Sequence, residues 1–229
     1  MRPSSETVRS ECTIIFVRSP RLGKVKTRLS KTLGAETALK IYKAFGQDVI
    51  ETVKKHSDRI RIGYHPMGEN EAVREWLGDG FQYVPQAGKN LGDRMRNAFK
   101  DAFSDGLCRV ILLGTDIPDL PGSIINEAFL KLTAHPSVIG PALDGGYYLI
   151  GFQKEGFFPG AFENIPWGTE HVLDQTLSAF RTAKRNIHIL PTWQDTDDYT
   201  DLLALHKRIA KEKTVAHHSA GVLKSVLFR

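Results

Sequence analysis

Asp116 follows a run of apolar residues, Val110-Ile-Leu-Leu113, after only Gly114 and Thr115. A continuous apolar run of this length is the pattern of a strand buried on both faces of a parallel sheet. The carboxyl end of such a strand is where open α/β sheets hold their ligands. A carboxylate there suits a hard divalent cation, Mg²⁺ or Mn²⁺, which takes oxygen ligands and shares them with substrate phosphates; it also suits a turn or a helix cap. The second group is cationic. Arg21, Lys24, Lys26 and Arg28 lie in a loop marked by Pro20 and Gly23, directly after the first apolar run, Thr13 to Val17. Backbone N–H groups with ammonium and guanidinium side chains at such a place bind nucleotide phosphates, although a solvated basic loop has the same composition. This is not a Walker A loop, since Val25 stands where Ser or Thr is required, and a single glycine is too few for the dinucleotide fingerprint.

Three further stretches carry candidate groups. The polar loop Gln86 to Met95 leads into a helix, with Asp93 as a cap or a functional carboxylate and with Lys89 and Arg94 as ligand candidates. Asp144-Gly145-Gly146 is either a simple hairpin turn or a place where a ligand approaches backbone beside a base. In Gln194-Asp-Thr-Asp-Asp198 the carboxylates cap the next helix, and one of them can also complete a metal site. Trp167 reads as core or as a platform for a sugar or base. His217 and His218 are adjacent and point to different faces of a regular element, which argues against a shared metal.

The elements that must position these groups alternate along the chain. Strands are expected at Thr13 to Val17, Arg59 to Tyr64, Phe81 to Val84, Val110 to Leu113, Ser137 to Pro141 and Asn186 to Leu190, and the Asp144 to Phe152 region adds an antiparallel strand. Helices are expected from Gly34 to His56, Glu69 to Leu77, Asp93 to Phe103, Ser123 to Leu132, Glu170 to Phe180 and Tyr199 to Lys211, leaving a tail after Lys213 without a clear partner. The pattern predicts one α/β domain, a three-layer α/β/α sandwich with a mostly parallel sheet. The 229 residues suffice for such a domain.

The formal charge of +5 favours anionic ligands. Most Lys and Arg outside the basic loop are interleaved with Asp and Glu, which argues for a local phosphate site and against a nucleic-acid track. Cys12 and Cys108 make neither a disulfide framework nor a zinc site. The polar first eleven residues and the lack of a long apolar run predict a cytoplasmic protein without a membrane span.

Four motifs together resemble one bacterial family: Ser19-Pro-x-x-Gly-Lys-Val-Lys-Thr-Arg-Leu29, Leu91-Gly-Asp-Arg-Met95, Gly114-Thr-Asp-x-Pro-x-Leu120 and Pro141-Ala-x-Asp-Gly-Gly-Tyr-Tyr-Leu-Ile-Gly151. Members of that family are named as glycosyltransferases by similarity. They have the GT-A, nucleotide-diphospho-sugar transferase fold, and guanylyltransferases that modify molybdopterin and 2-phospholactate are distant relatives. The resemblance spans Thr13 to Leu205. It implies nucleotide phosphates at the Pro20, Gly23, Lys24, Lys26 and Arg28 loop, with Asp93 and Arg94 near the nucleotide. It implies a cation on Asp116. The usual Asp-x-Asp is Asp116-Ile-Pro-Asp119 here, so the second ligand is sought in Thr196-Asp-Asp-Tyr-Thr-Asp-Leu202, where Asp197 matches the family's Asp. Gly145, Gly146, Tyr147 and Trp167 would face the sugar or the acceptor.

The expected reaction is metal-dependent glycosyl transfer from a nucleotide diphosphate sugar to an unknown small-molecule acceptor. Lys26 and Arg28 would stabilise the departing diphosphate, and Asp144 would act as base. Nucleotidyl transfer from a nucleoside triphosphate to a phosphorylated acceptor uses the same loop and metal. A nucleotide-binding scaffold without turnover is the reading from outside enzymology.

Overall fold

The computed structural model describes residues 10–212 and 216–227. Residues 1–9, most of the polar leader weighed above, and 213–215, where the expected tail begins, lie outside them. The chain runs β1 (Glu11–Arg18), α1 (Thr27–Leu33), α2 (Ala35–His56), β2 (Ile60–His65), α3 (Asn70–Leu77), β3 (Gln82–Pro85), α4 (Leu91–Ser104) and β4 (Arg109–Leu113). It continues with α5 (Gly122–Lys131), β5 (Ser137–Pro141), β6 (Tyr147–Gln153), a 3-10 turn at Pro159–Phe162, α6 (Val172–Thr182), β7 (His188–Ile189), α7 (Tyr199–Glu212) and α8 (His217–Leu227). Helix α1 was not anticipated. It starts within the stretch read as basic loop, at Thr27 and Arg28, and runs on through residues 29–33, to which no element was assigned; only Leu29 of it is buried.

The seven strands lie in the order β3-β2-β1-β4-β6-β5-β7. β6 runs antiparallel to both neighbours, β4 and β5, and every other pairing is parallel. Side chains of a strand alternate between faces, and the two cores separate on that period. Ile15, Val17, Ile111, Leu113 and Leu149 face α2, α3 and α5, whereas Ile14, Val110, Leu112, Ile150 and Phe152 face α4, the 3-10 turn and α6. The result is the three-layer α/β/α sandwich. The carboxyl ends of β1 and β4, neighbours in the sheet, open at one edge of it.

A third apolar cluster accounts for the length of α2. Ala38, Ile41 and Phe45 turn away from the sheet and pack with Leu202 and Leu205 of α7 and Ala216 and Leu223 near and in α8. The segment expected to be a tail without a partner is therefore a packed helix. Asp48 of α2, fully buried, accepts from His218 N at 2.9 Å and Ser219 N at 2.8 Å, and the Ser219 hydroxyl also donates to it. Burial pushes the Asp48 carboxyl above its ordinary range, while these donors pull it back. His218 Nε2 lies 2.8 Å from Glu51 Oε1, so this histidine fixes a helix end. Asp48→Ala is expected to cost about 1–3 kcal/mol, the penalty for stranding buried donors, read as a lower urea midpoint with faster amide exchange at Ser219. No helix among the described residues is long and apolar enough to cross a membrane.

Candidate active site

The site is built where β1 and β4 end. The Tyr42 hydroxyl on α2 accepts from Arg18 N at 2.8 Å and donates to Arg18 O at 2.9 Å, which fixes the strand end that opens the basic loop. Gly23 holds φ 70°, the left-handed region that a glycine occupies without strain. Arg21 forks onto Glu69, with Nε 2.9 Å from Oε2, so its charge is met within the protein. Lys26 also has a left-handed backbone, φ 45°, where it caps α1. A non-glycine residue in that region is uncommon and persists where its surroundings hold it. The surroundings here are acidic: Lys26 Nζ lies 2.6 Å from Asp116 Oδ1, 2.9 Å from Asp197 Oδ1 and 2.5 Å from Thr196 O. Its side chain is 4% exposed. Burial alone would lower the pKa of the ammonium, but Asp116 and Asp197 outweigh it and hold the pKa above the ordinary lysine range. Lys26 thus touches the two carboxylates proposed as metal ligands. Arg28 stays largely exposed, 3.7 Å from Asp197 Oδ2.

Four carboxylates converge beside this lysine. Asp144, Asp195 and Asp197 offer oxygens within 4.8 Å of one another. Asp116 stands next to that group with Oδ1 on Lys26. Burial, then the like charges of Asp144, Asp197 and Asp116, push the Asp195 carboxyl up to about 7. The donor set fits a hard divalent cation: it is made of oxygens, and its accumulated negative charge is only partly met by Lys26 and Arg28. The rest of the acidic stretch has other work. Asp198 Oδ1 accepts from Thr200 N and Asp201 N, capping α7, and Asp201 Oδ2 accepts from Asp197 N and Asp198 N. Asp119, the carboxylate displaced from the Asp-x-Asp spacing, is buried and binds Arg208 and Trp193.

Two cavities meet at Asp116 and Asp197. One, of about 420 Å³, runs along β1 and β2 and is lined by Arg18, Lys24, His65, Gln86 and Arg94, among others. The other, of about 590 Å³, lies over β6 and is lined by Met95, Asp144, Tyr147, Tyr148 and Trp167, among others. A basic, polar chamber thus opens into an aromatic one through an acidic gate.

The remaining sequence candidates fall as follows. Lys24 and Arg94 line the basic chamber; Arg94 Nε also lies 3.4 Å from Gly88 O. Pro20 and Gly23 shape the loop and line neither chamber. Asp93 is not the cap of α4, because Asn90 Oδ1 accepts from Asp93 N at 2.8 Å, and its carboxylate lies 2.8 Å from Arg96 Nη2. Asp144 accepts from Gly146 N at 2.8 Å, the Asx turn expected of this dipeptide. Gly145 is pressed against Glu170, where a Cβ would sit 2.1 Å from the carbonyl oxygen, and its own carbonyl accepts from Leu173 N. That contact fixes the turn on the start of α6. Tyr147 and Trp167 meet edge to face at 6.3 Å, and Trp167 rests on the backbone of Gly92. Burial pushes the Tyr147 phenol above its ordinary range, so it stays protonated. Sequence reasoning passed over Asp195, although it stood in a stretch already singled out, and Gln86. The Gln86 amide donates to Val17 O and Gly63 O from inside the sheet.

Comparison with known proteins agrees with this architecture. The model of the family described as "Uncharacterized protein conserved in bacteria (DUF2064)" matches residues 49–169. A crystal structure from Desulfovibrio desulfuricans G20, described as a "putative nucleotide-diphospho-sugar transferase", is 34% identical with a TM-score of 0.87, covering 95% of this chain and 98% of that one. CMP:2-keto-3-deoxy-manno-octonic acid synthetase, solved with CTP, has a TM-score of 0.56 at 12% identity, over 88% of this chain and 99% of its own. Rv0371c from Mycobacterium tuberculosis H37Rv, solved with manganese, has a TM-score of 0.52 at 13% identity, over 85% and 97%. Among curated proteins nothing matches. The likenesses at 12% and 13% identity show a shared fold alone.

Proposed function

We propose that this chain, which belongs to the bacterial DUF2064 family, is a divalent-cation-dependent transferase that moves a glycosyl group from a nucleotide diphosphate sugar to a small-molecule acceptor. The observation that carries the reading is the acidic junction of Asp116, Asp144, Asp195 and Asp197 between a basic chamber and an aromatic one. The basic chamber suits a nucleotide, with Arg18, Lys24 and Arg94 toward its phosphates. The aromatic chamber suits a sugar and acceptor, whose apolar ring faces would pack on Tyr147 and Trp167. Asp195, Asp197 and Asp116 would hold a Mg²⁺ or Mn²⁺ ion, which would supply positive charge to a leaving diphosphate. Arg28, exposed beside Asp197, adds a guanidinium to the same oxygens. Lys26 acts one step back, by holding Asp116 and Asp197 in place.

Asp144 is the candidate base, because it is exposed at the mouth of the aromatic chamber and its turn is fixed on α6. It would take the proton of an acceptor hydroxyl. Asp144→Asn is expected to lower transfer by about a hundredfold or more while nucleotide affinity and Mn²⁺ affinity hold. A loss confined to Mn²⁺ affinity would instead make Asp144 a ligand.

The same site supports nucleotidyl transfer, and one observation favours it: Arg18, Lys24, Arg28 and Arg94 together line the basic chamber, enough cations for a triphosphate. Incubation with Mn²⁺ or Mg²⁺ and a panel of nucleotide sugars and nucleoside triphosphates separates the two. Nucleoside diphosphate release is expected, and pyrophosphate release with a phosphorylated acceptor would establish the second reading. Asp116→Asn with unchanged rate and unchanged Mn²⁺ affinity would remove Asp116 from the metal site.

A further inference from the structure

The segment that carries Asp195 and Asp197, from Leu190 to Asp198, has no regular secondary structure beyond one bridge between Trp193 and Ala142. Like charges at Asp144, Asp195, Asp197 and Asp116 push it away from β4 and β6. Lys26 holds only its inner edge. On the outer side stands a second device. Arg208 of α7 binds Asp119 through Nε at 2.7 Å and through Nη2 at 3.4 Å, and the same guanidinium reaches Gln194 Oε1 at 2.6 Å and Gln194 O at 3.4 Å. Asp119 also accepts from Trp193 Nε1 at 3.2 Å, and Gln194 Nε2 lies 3.3 Å from Asp201 Oδ1 at the start of α7.

We propose that Asp119 and Arg208 form a brace that fixes the 193–197 segment and so places Asp195 and Asp197 in the metal site. The inference rests on the transferase reading for its consequence and on the geometry for its substance. Asp119 is 1% exposed and Arg208 is 23% exposed, and neither lines the chambers described above. Both are positioning residues. The brace gives the shifted Asp116-Ile-Pro-Asp119 spacing a physical role. The second carboxylate of the motif points into the protein, where it ties the end of β4 to a distant stretch, and that stretch delivers the ligands instead. Only arginine reaches all of these partners at once, since its planar fork serves two acceptors in different directions; lysine would keep the charge on Asp119 and lose the carbonyl and amide of Gln194.

The test uses the full chain without nucleotide, with Mn²⁺ as the probe, in Arg208→Met, Arg208→Lys and Gln194→Leu. Arg208→Met is expected to weaken Mn²⁺ binding by about tenfold, the lower end of the loss seen when a ligand's direct hydrogen-bond partner is removed, because Arg208 acts through Gln194 and not on a ligand itself. Arg208→Lys is expected to recover part of it. Amide exchange at Thr196, whose N–H donates to Asp116 O at 2.9 Å, is expected to speed up by about tenfold or more while exchange in α2 is unchanged. Gln194→Leu keeps the buried Asp119–Arg208 pair and the bonds to Gln194 O and from Trp193 Nε1, so it is expected to show smaller losses of the same kind in a folded protein if Arg208→Met does not fold. Unchanged Mn²⁺ affinity and unchanged Thr196 exchange in folded variants would overturn the brace and leave the transferase reading standing. A wild-type chain that binds neither Mn²⁺ nor nucleotide would overturn the transferase reading; the brace is then decided by Thr196 exchange alone.

Discussion

Asp195→Asn is expected to stabilise the metal-free protein above neutral pH while lowering transfer by about a hundredfold or more, the scale of losing a group that stabilises transition-state charge. Burial and three neighbouring carboxylates raise Asp195 from 3.8 to about 7 in the folded chain. Below the unfolded value both states carry the proton and the group contributes nothing to the pH dependence. As pH rises from about 4 toward 7, the unfolded chain releases the proton and the folded chain keeps it. Stability then falls by at most about 1.4 kcal/mol per pH unit. Above 7 the penalty is constant. Asparagine has no such slope, so the difference in melting temperature between variant and wild type should open between pH 4 and 7 and then flatten. Saturating Mn²⁺ should reverse the order, because an ion that binds only the folded wild type stabilises it by mass action. The wild-type affinity for Mn²⁺ should fall about tenfold per pH unit below 7, as the proton competes for the ligand, and the variant should bind weakly at every pH. Thermal scans across pH with and without Mn²⁺ decide this. A variant no more stable than wild type at pH 8 without metal would show that Asp195 is not electrostatically strained.

The contrast between Asp195 and Asp116 shows which parts of this site a sequence displays. Asp116 was legible because its position follows from one local pattern, an apolar strand that ends in Gly-Thr-Asp. The basic loop was legible for the same reason. The β5 to β6 turn at Asp144 was visible from its Gly-Gly pair, and β6 as an antiparallel strand followed from the short connection. Asp195 could not be separated from Asp197, Asp198 and Asp201 by spacing alone. Which of four nearby carboxylates turns inward is set by the local cap of α7 together with contacts to Lys26 and Arg208, which lie outside the stretch. Helix α1 was missed because it is short, Thr27, Arg28, Ser30, Lys31 and Thr32 are polar and only Leu29 is buried, which leaves no apolar stripe to detect. Helix α8 was missed because its partner is the outer face of α2, and Asp48 on that face gives no local sign that it will cap a helix arriving from the other end of the chain.

Lys26 combines both kinds of information, and its substitution is the second large expected effect. The sequence places it among phosphate-binding cations; the fold gives it Asp116, Asp197 and a backbone carbonyl, with 4% of its side chain exposed. Lys26→Met leaves the two carboxylates with only the exposed Arg28, 3.7 Å from Asp197 Oδ2, as a neighbouring cation. Breaking a fully buried pair costs about 3–5 kcal/mol. Asp116 and Asp197 keep 45% and 36% of their side chains exposed, so water recovers part of that, and about 2–3 kcal/mol is the expected loss in the metal-free protein. Lys26→Gly provides an internal control. It loses the same ion pairs but relieves the left-handed backbone, which costs a side-chain-bearing residue roughly 1–2 kcal/mol, so it should be the more stable of the two variants. Their order separates backbone strain from charge. If Lys26 were chiefly a phosphate ligand, both variants would melt near wild type and lose nucleotide affinity alone. If it holds the acidic junction, both should melt lower without metal and regain more stability from millimolar Mn²⁺ than wild type does, since the ion then supplies positive charge that the lysine supplied before. Transfer should remain depressed by about a hundredfold even in saturating Mn²⁺, because an ion drawn into the place of the ammonium no longer sits where the leaving diphosphate needs it.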